Sequence, residues 1–184
     1  MHEPEHITVN ILNPTDTFFV GDFHFDHTNI IEYANRPFKS TEEMNLTMLN
    51  NYNNAVNDSS LVFFLGDMAF GKDSKKPRWW LSQLKGNIIY IKGSHDNGIR
   101  PTSIGLNALR VCDLCEFKFE RIEFLLTHIP VSVKNYGGWN IHAHTHDHDQ
   151  KNLDKRKFCV SVEAINYTPI SLIKIIEEIH GSSN

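Results

Sequence analysis

The sequence predicts an α/β fold: two packed mixed β-sheets flanked by helices. Three observations carry this reading. Apolar, β-rich runs (Thr17 to Val20, Leu61 to Leu65, Ile88 to Ile91) break off into charged and glycine-containing stretches. Helical patterns alternate with them in the first half of the chain, and two later runs flank a two-residue turn as hairpin arms do. At 184 residues and 40% apolar content, residues 1–184 read as a single domain, with 1–16 an N-terminal extension or edge strand.

Within that extension, Ile7 to Leu12 has strand character, and Pro14-Thr15-Asp16 turns the chain into the first core strand. Ser40-Thr41-Glu42-Glu43 has capping-box spacing, and Met44, Met48, Tyr52 and Ala55 then form one helical face. A second helix is expected from Pro77 to Leu84, since proline suits a first turn. Leu114 to Phe119 and Ile122 to Thr127 flank Glu120-Arg121 as a hairpin. Trp139 to Ala143 and Phe158 to Val162 read as further strands, and Ile170 to His180 as a closing helix.

A formal charge of −4 and a pI near 6.2 provide no global field for a polyanion, which weighs against a long nucleic acid as partner. Lys72, Lys75, Lys76 and Arg78 form a local basic run that reads first as a solvated loop. Three cysteines (Cys112, Cys115 and Cys159) are too few for a disulfide framework and read as buried or half-buried thiols. The N-terminal residues lack the pattern of a secretory signal, and no apolar run approaches the roughly 20 residues of a membrane helix. A cytoplasmic setting, in a bacterium or a phage-infected host, is the expectation.

Five short segments carry the chemistry: Asp22-Phe23-His24, Gly66-Asp67, Gly93-Ser94-His95-Asp96, Thr127-His128 and His142-Ala143-His144-Thr145-His146. The first three follow predicted strands, placing their side chains at carboxyl ends, where open α/β sheets hold ligands. Carboxylate oxygen and imidazole nitrogen together suit divalent metals without any thiolate. Asp22 and His24 are two apart, so in an extended strand both would share one face. A carboxylate at Asp67 can bridge two cations, and Asp96 next to His95 can raise that imidazole's basicity, fitting it to donate a proton. His142, His144, His146 and His148 alternate with other residues, a pattern that also occurs in metal-scavenging loops.

Taken in order, these motifs resemble the calcineurin-like metallophosphoesterase superfamily, whose signatures read D-x-H, G-D, G-N-H-D or G-N-H-E, H, and G-H-x-H. Asn29-Ile30-Ile31-Glu32-Tyr33, Arg36-Pro37-Phe38, Glu43-Met44 and Tyr167-Thr168-Pro169-Ile170-Ser171-Leu172 resemble its small, single-domain bacterial and phage branch. The resemblance spans roughly Thr17 to Ile179 and implies an α/β/β/α sandwich. It further implies that Asp22, His24 and His146 hold one metal, Asp67 bridges, and His128 and His144 hold the second, with Ser94 at the family's asparagine ligand position. His95 and Asp96 would be the catalytic pair, and the nucleophile a metal-bound hydroxide.

The implied function is hydrolysis of phosphomonoesters or phosphodiesters with two divalent metals, Mn²⁺ foremost and Ni²⁺, Zn²⁺, Fe²⁺ or Mg²⁺ as alternatives. The substrate would be small and phosphorylated, such as a nucleotide or cyclic nucleotide, with Arg36, Lys72 and Arg100 as candidate phosphate contacts. Two departures from the family pattern stand out. The Ser94 hydroxyl reaches less far than an amide, and Ala143 replaces a glycine, which would strain the turn if positive φ were needed. Ser94 also supports an alternative reading, a binding module that keeps the fold and has weakened turnover.

Overall fold

The computed structural model describes residues 5–11, 13–70, 77–96, 108–146 and 156–181. The strands are β1 His6–Asn10, β2 Thr17–Val20, β3 Leu61–Phe64, β4 Asn87–Ile91, β5 Ala108–Cys112, β6 Leu114–Phe119, β7 Ile122–Thr127, β8 Trp139–His142, β9 Lys157–Cys159 and β10 Ile170–Ser171. The helices are α1 Ile30–Tyr33, α2 Thr41–Ala55, α3 Pro77–Leu81 and α4 Leu172–Gly181. Two mixed sheets form, ordered β1-β6-β7-β8-β9 and β10-β2-β3-β4-β5, with helices flanking them. In the second sheet β2 to β5 run parallel, and only β10 is antiparallel to its neighbour.

The sheets meet through a stack of phenylalanines. Phe19 and Phe63 of one sheet lie 5.8 Å and 5.6 Å from Phe117 of the other, and Phe117 in turn stacks on Phe124 at 4.8 Å. All four are buried, and offset aromatic pairs at such spacings add to what burial alone contributes. Phe64 stacks on Tyr90 at 5.3 Å, and Phe23 meets both Phe64 and Tyr52 of α2 edge-on. The cap of α2 is the expected one, with Ser40 Oγ accepting from the Glu43 N–H at 3.2 Å. No helix of the described residues is long and apolar enough to cross a membrane.

Several elements differ from the sequence reading. Ile170–Ser171 is a strand on β2 rather than the start of the closing helix, and α3 ends at Leu81. The segment β5 was not anticipated. Cys112 and Cys115 flank the chain's crossing between the two sheets, from β5 to β6. They are buried free thiols, and burial pushes Cys112 up to about 12.

What positions the site is the common direction of β2, β3, β4, β7 and β8. Their carboxyl ends converge, and the two sheets are tied together there. Gly21 N–H donates to Val160 O at 2.9 Å, and Val162 N–H donates to Gly21 O at 3.2 Å. The approach is close enough that a Cβ on Gly21 would lie 2.8 Å from Ala143 Cβ.

Candidate metal centre

Each strand end contributes one or two polar groups. Asp22 and His24 follow β2, Asp67 follows β3, Ser94 and His95 follow β4, His128 follows β7, and His144 and His146 follow β8. They gather into two trios, Asp22, His24 and His146, and Asp67, His128 and His144. Within each trio one ligand atom per residue lies within 4.8 Å of the others.

Asp67 links the trios. Its Oδ2 is 3.3 Å from His128 Nε2, 3.9 Å from His24 Nε2 and 3.0 Å from Ser94 Oγ, while its Oδ1 accepts the His95 backbone N–H at 2.8 Å. Gly93 permits this, because a Cβ there would sit 2.1 Å from Asp67 Oδ1. Ser94 Oγ also lies 3.5 Å from His128 Nε2, so it faces the second trio.

The backbone is strained at these ligands. Asp22 (φ 58°), His24 (φ 49°), Asp67 (φ 53°), His144 (φ 70°) and His146 (φ 51°) all occupy the left-handed region, which non-glycine residues visit at a cost of roughly 1–2 kcal/mol each. Asp22 and His24 therefore converge through left-handed turns and not through the period of an extended strand. Ala143 is not among the positive-φ residues, so the expected strain there is absent; the close approach is accommodated by Gly21 opposite it.

Around the trios, polar groups fix orientation. His128 Nδ1 donates to Leu65 O at 2.7 Å, turning Nε2 toward Asp67. His146 Nδ1 lies 2.9 Å from Glu163 Oε1, and the same oxygen receives Arg36 Nε at 2.8 Å. Asp22 Oδ2 accepts from Ser161 Oγ at 2.5 Å and from the His144 N–H at 2.6 Å. Such partners hold metal-ligating imidazoles and carboxylates in other proteins. Glu163 and Ser161 were missed by the sequence reading. The general requirement that a ligating histidine find a carboxylate or carbonyl partner calls for such a group without singling out Glu163.

Electrostatics follow from burial and pairing. Burial lowers His24 to about 3 and raises the Asp22 carboxyl. Burial also works to lower His128, yet its hydrogen bond to Asp67 and the charges of Asp22 and Asp67 lift it to about 9. Burial opposes ionisation of Asp67, but His128 and the His95 N–H hold it below the usual carboxylate range. His146 is raised: its bond to Glu163 overcomes the effect of burial.

The two trios could hold divalent cations. Asp22 Oδ1 and both ring nitrogens of His24 are buried without a hydrogen-bond partner among the described residues, a costly state for polar atoms unless something else pairs them. Mixed oxygen and nitrogen donors suit Mn²⁺, Fe²⁺, Ni²⁺ or Zn²⁺.

Two expected roles are corrected. Arg36 does not face ligand: its guanidinium is buried, donating to the carbonyls of Asp22 (2.7 Å) and Phe23 (2.8 Å) as well as to Glu163. Asp96 does not pair with the His95 ring. Its Oδ2 instead accepts from Gly93 N–H (2.7 Å), Asp67 N–H (2.9 Å) and Tyr90 Oη (2.8 Å), which ties the strand ends together. The His95 ring is 44% exposed with Nε2 4.0 Å from Asp67 Oδ2. His142 is buried in β8 and belongs to neither trio. Lys72, Arg100 and His148 lie outside the described residues.

No family model matches the sequence. The chain shares its fold with the protein of unknown function AQ665 from Aquifex aeolicus, at TM-score 0.68 and 22% identity, covering 89% of this chain and 98% of that one. It is 40% identical over 172 residues to the uncharacterized protein MJ1445 of Methanocaldococcus jannaschii, covering 88% of this chain and 91% of the relative. Similarity of that degree over nearly the whole of both proteins means that the chain belongs to the family of MJ1445.

Proposed function

We propose that the protein is a phosphoesterase of the calcineurin-like metallophosphoesterase type, hydrolysing phosphomonoesters or phosphodiesters with two divalent metals. The observation that carries this is the position of Asp67 Oδ2 between two histidine-rich trios. One trio is Asp22, His24 and His146; the other is Asp67, His128 and His144, with Ser94 beside it. Divalent cations bound there supply Lewis acidity, which lowers the pKa of water and offsets phosphate charge.

The chain's own residues do the rest. Leu65 O and Glu163 Oε1 hold His128 and His146 through Nδ1, leaving Nε2 to face inward. Asp96 fixes the β3 and β4 ends and so aims Asp67 and Ser94. His95, with its ring 44% exposed, would give a proton from Nε2 to the leaving oxygen.

A second reading has one observation in its favour. Ser94 Oγ is hydrogen-bonded to Asp67 Oδ2 at 3.0 Å and stands where the resemblance calls for an amide. A binding module with weakened turnover would tolerate that change. The experiment is metal removal followed by Mn²⁺, Ni²⁺, Zn²⁺, Fe²⁺ or Mg²⁺ addition, with p-nitrophenyl phosphate and bis-p-nitrophenyl phosphate as substrates. Restoration by Mn²⁺ is expected; equal turnover with and without chelator would overturn the dinuclear reading, and metal binding without turnover would favour the module.

A further inference from the structure

Beside the trios is a cavity of about 500 Å³, lined by His24, Asp67, His95, His144 and His146 on one side. Its other wall is of a different character. His27, Asn29, Tyr33 and Phe70 form it, and neither lysine nor arginine lines it among the described residues. Phe70 and Tyr33 are large rings left 37% and 68% exposed. The Phe70 ring centroid is 4.5 Å from that of His95 and 4.6 Å from that of His27, and the Tyr33 ring is 6.3 Å from His27. A continuous aromatic surface therefore runs from the proton-donor position to the rim.

These rings, inclined at 57° to 73° to one another, offer both faces and edges to a planar group. Asn29 is exposed on the same wall and stands at the N-cap of α1, where its side chain makes no capping hydrogen bond, so its carboxamide offers a donor and an acceptor side by side. A heterocycle with a hydrogen-bonding edge uses both features; a simple phenyl ring uses only the stacking.

We propose that this cleft takes a nucleoside phosphate ester, the base stacked on Phe70 and Tyr33 and its edge bonded by Asn29. This names the substrate class of the site proposed above, and it rests on that reading only for where the phosphate lies.

The test is binding, so turnover is not needed. Adenosine 5′-phosphonate, ribose 5-phosphonate and 4-(phosphonomethyl)phenylalanine, whose P–C bonds cannot be hydrolysed as esters, are titrated calorimetrically into the Mn²⁺-loaded protein. Base stacking of the usual strength makes the adenosine compound bind about tenfold tighter than the ribose compound. Phe70→Ala and Tyr33→Ala each shrink that ratio, and Asn29→Ala shrinks the preference for adenine over the phenyl ligand. A wild-type ratio within about twofold of unity, a ratio unchanged by Phe70→Ala, or equal affinity for the phenyl ligand would each overturn the proposal. If base discrimination appears while no phosphate ester is hydrolysed with any metal, the hydrolase reading fails and this one stands; hydrolysis without discrimination reverses that outcome.

Discussion

Glu163 Oε1 and His146 Nδ1 lie 2.9 Å apart, both largely buried, in a carboxylate–imidazole pair that turns the far nitrogen of His146 toward Asp22 and His24. The pair fixes a ring that a left-handed backbone has already aimed. Glu163→Gln keeps the size and removes the charge. Metal affinity of the Asp22, His24 and His146 trio is expected to fall by about 10- to 100-fold, while the other trio changes little. Metal titration that showed both sites weakened equally would argue against this partition.

On the proposed reading, Asp67 serves metal binding and His95 proton transfer. Asp67→Asn is expected to release both metals together, since one carboxylate serves both trios. His95→Asn is expected to keep metal content and lower kcat by about 10² to 10⁴. Elemental analysis beside kinetics checks both. Loss of metal in the His95 variant with retention in the Asp67 variant would reverse the assignments.

How far the sequence reveals this molecule depends on whether a feature is local. The strands β2, β3 and β4 were legible because apolar runs end at Gly21, Gly66 and Gly93, and α2 because its cap and its buried face share one short segment. That the candidate ligands gather into two trios was legible through motif order. Glu163 was not, because its partners are 17 and 127 residues away and it sits on a short 3-10 turn without periodicity. Arg36 reads from sequence as a candidate phosphate contact, and only the packing of Phe23, Met44 and Glu163 around its guanidinium shows it buried. Asp96 adjoins His95 in sequence, yet its carboxylate oxygen turns back to Gly93 and Asp67.

The Arg36 assignment yields a stability prediction. Removing one partner of a buried ion pair leaves the other charge uncompensated, at a cost of about 3–5 kcal/mol. Arg36→Met therefore lowers the unfolding free energy by that amount in urea titration, and frees the carbonyls of Asp22 and Phe23. A phosphate-gripping arginine would behave otherwise, with stability unchanged and KM raised.

Proton linkage gives opposite signs at His128 and His24 in the metal-free protein. His128, lifted from 6.5 to about 9, stabilises the fold fully below pH 6.5, and that contribution is lost as pH rises through 9. His24, lowered from 6.5 to about 3, is held neutral, so its contribution is present above pH 6.5 and lost as pH falls toward 3. A divalent cation held at the proposed site would have to displace the His128 proton. Affinity of the Asp67, His128 and His144 trio is expected to rise about tenfold per pH unit from pH 7 to 9 and then level. Chelator competition across that range measures it, and a flat profile would contradict the pairing.

Ser94 provides the sharpest test of how the second trio is completed. Its Oγ is 3.0 Å from Asp67 Oδ2 and 3.5 Å from His128 Nε2, so it faces the ligands but is bonded to one of them. An amide extends farther and carries a carbonyl oxygen with no proton to donate to Asp67. Ser94→Asn is expected to tighten metal at this trio and raise kcat by about tenfold, equivalent to about 1.4 kcal/mol of barrier. Metal stoichiometry and kcat against Mn²⁺ concentration, read for both proteins, check it. Tighter metal with no gain in rate would favour the binding-module reading, and no change in either would mean that position 94 does not complete the second site.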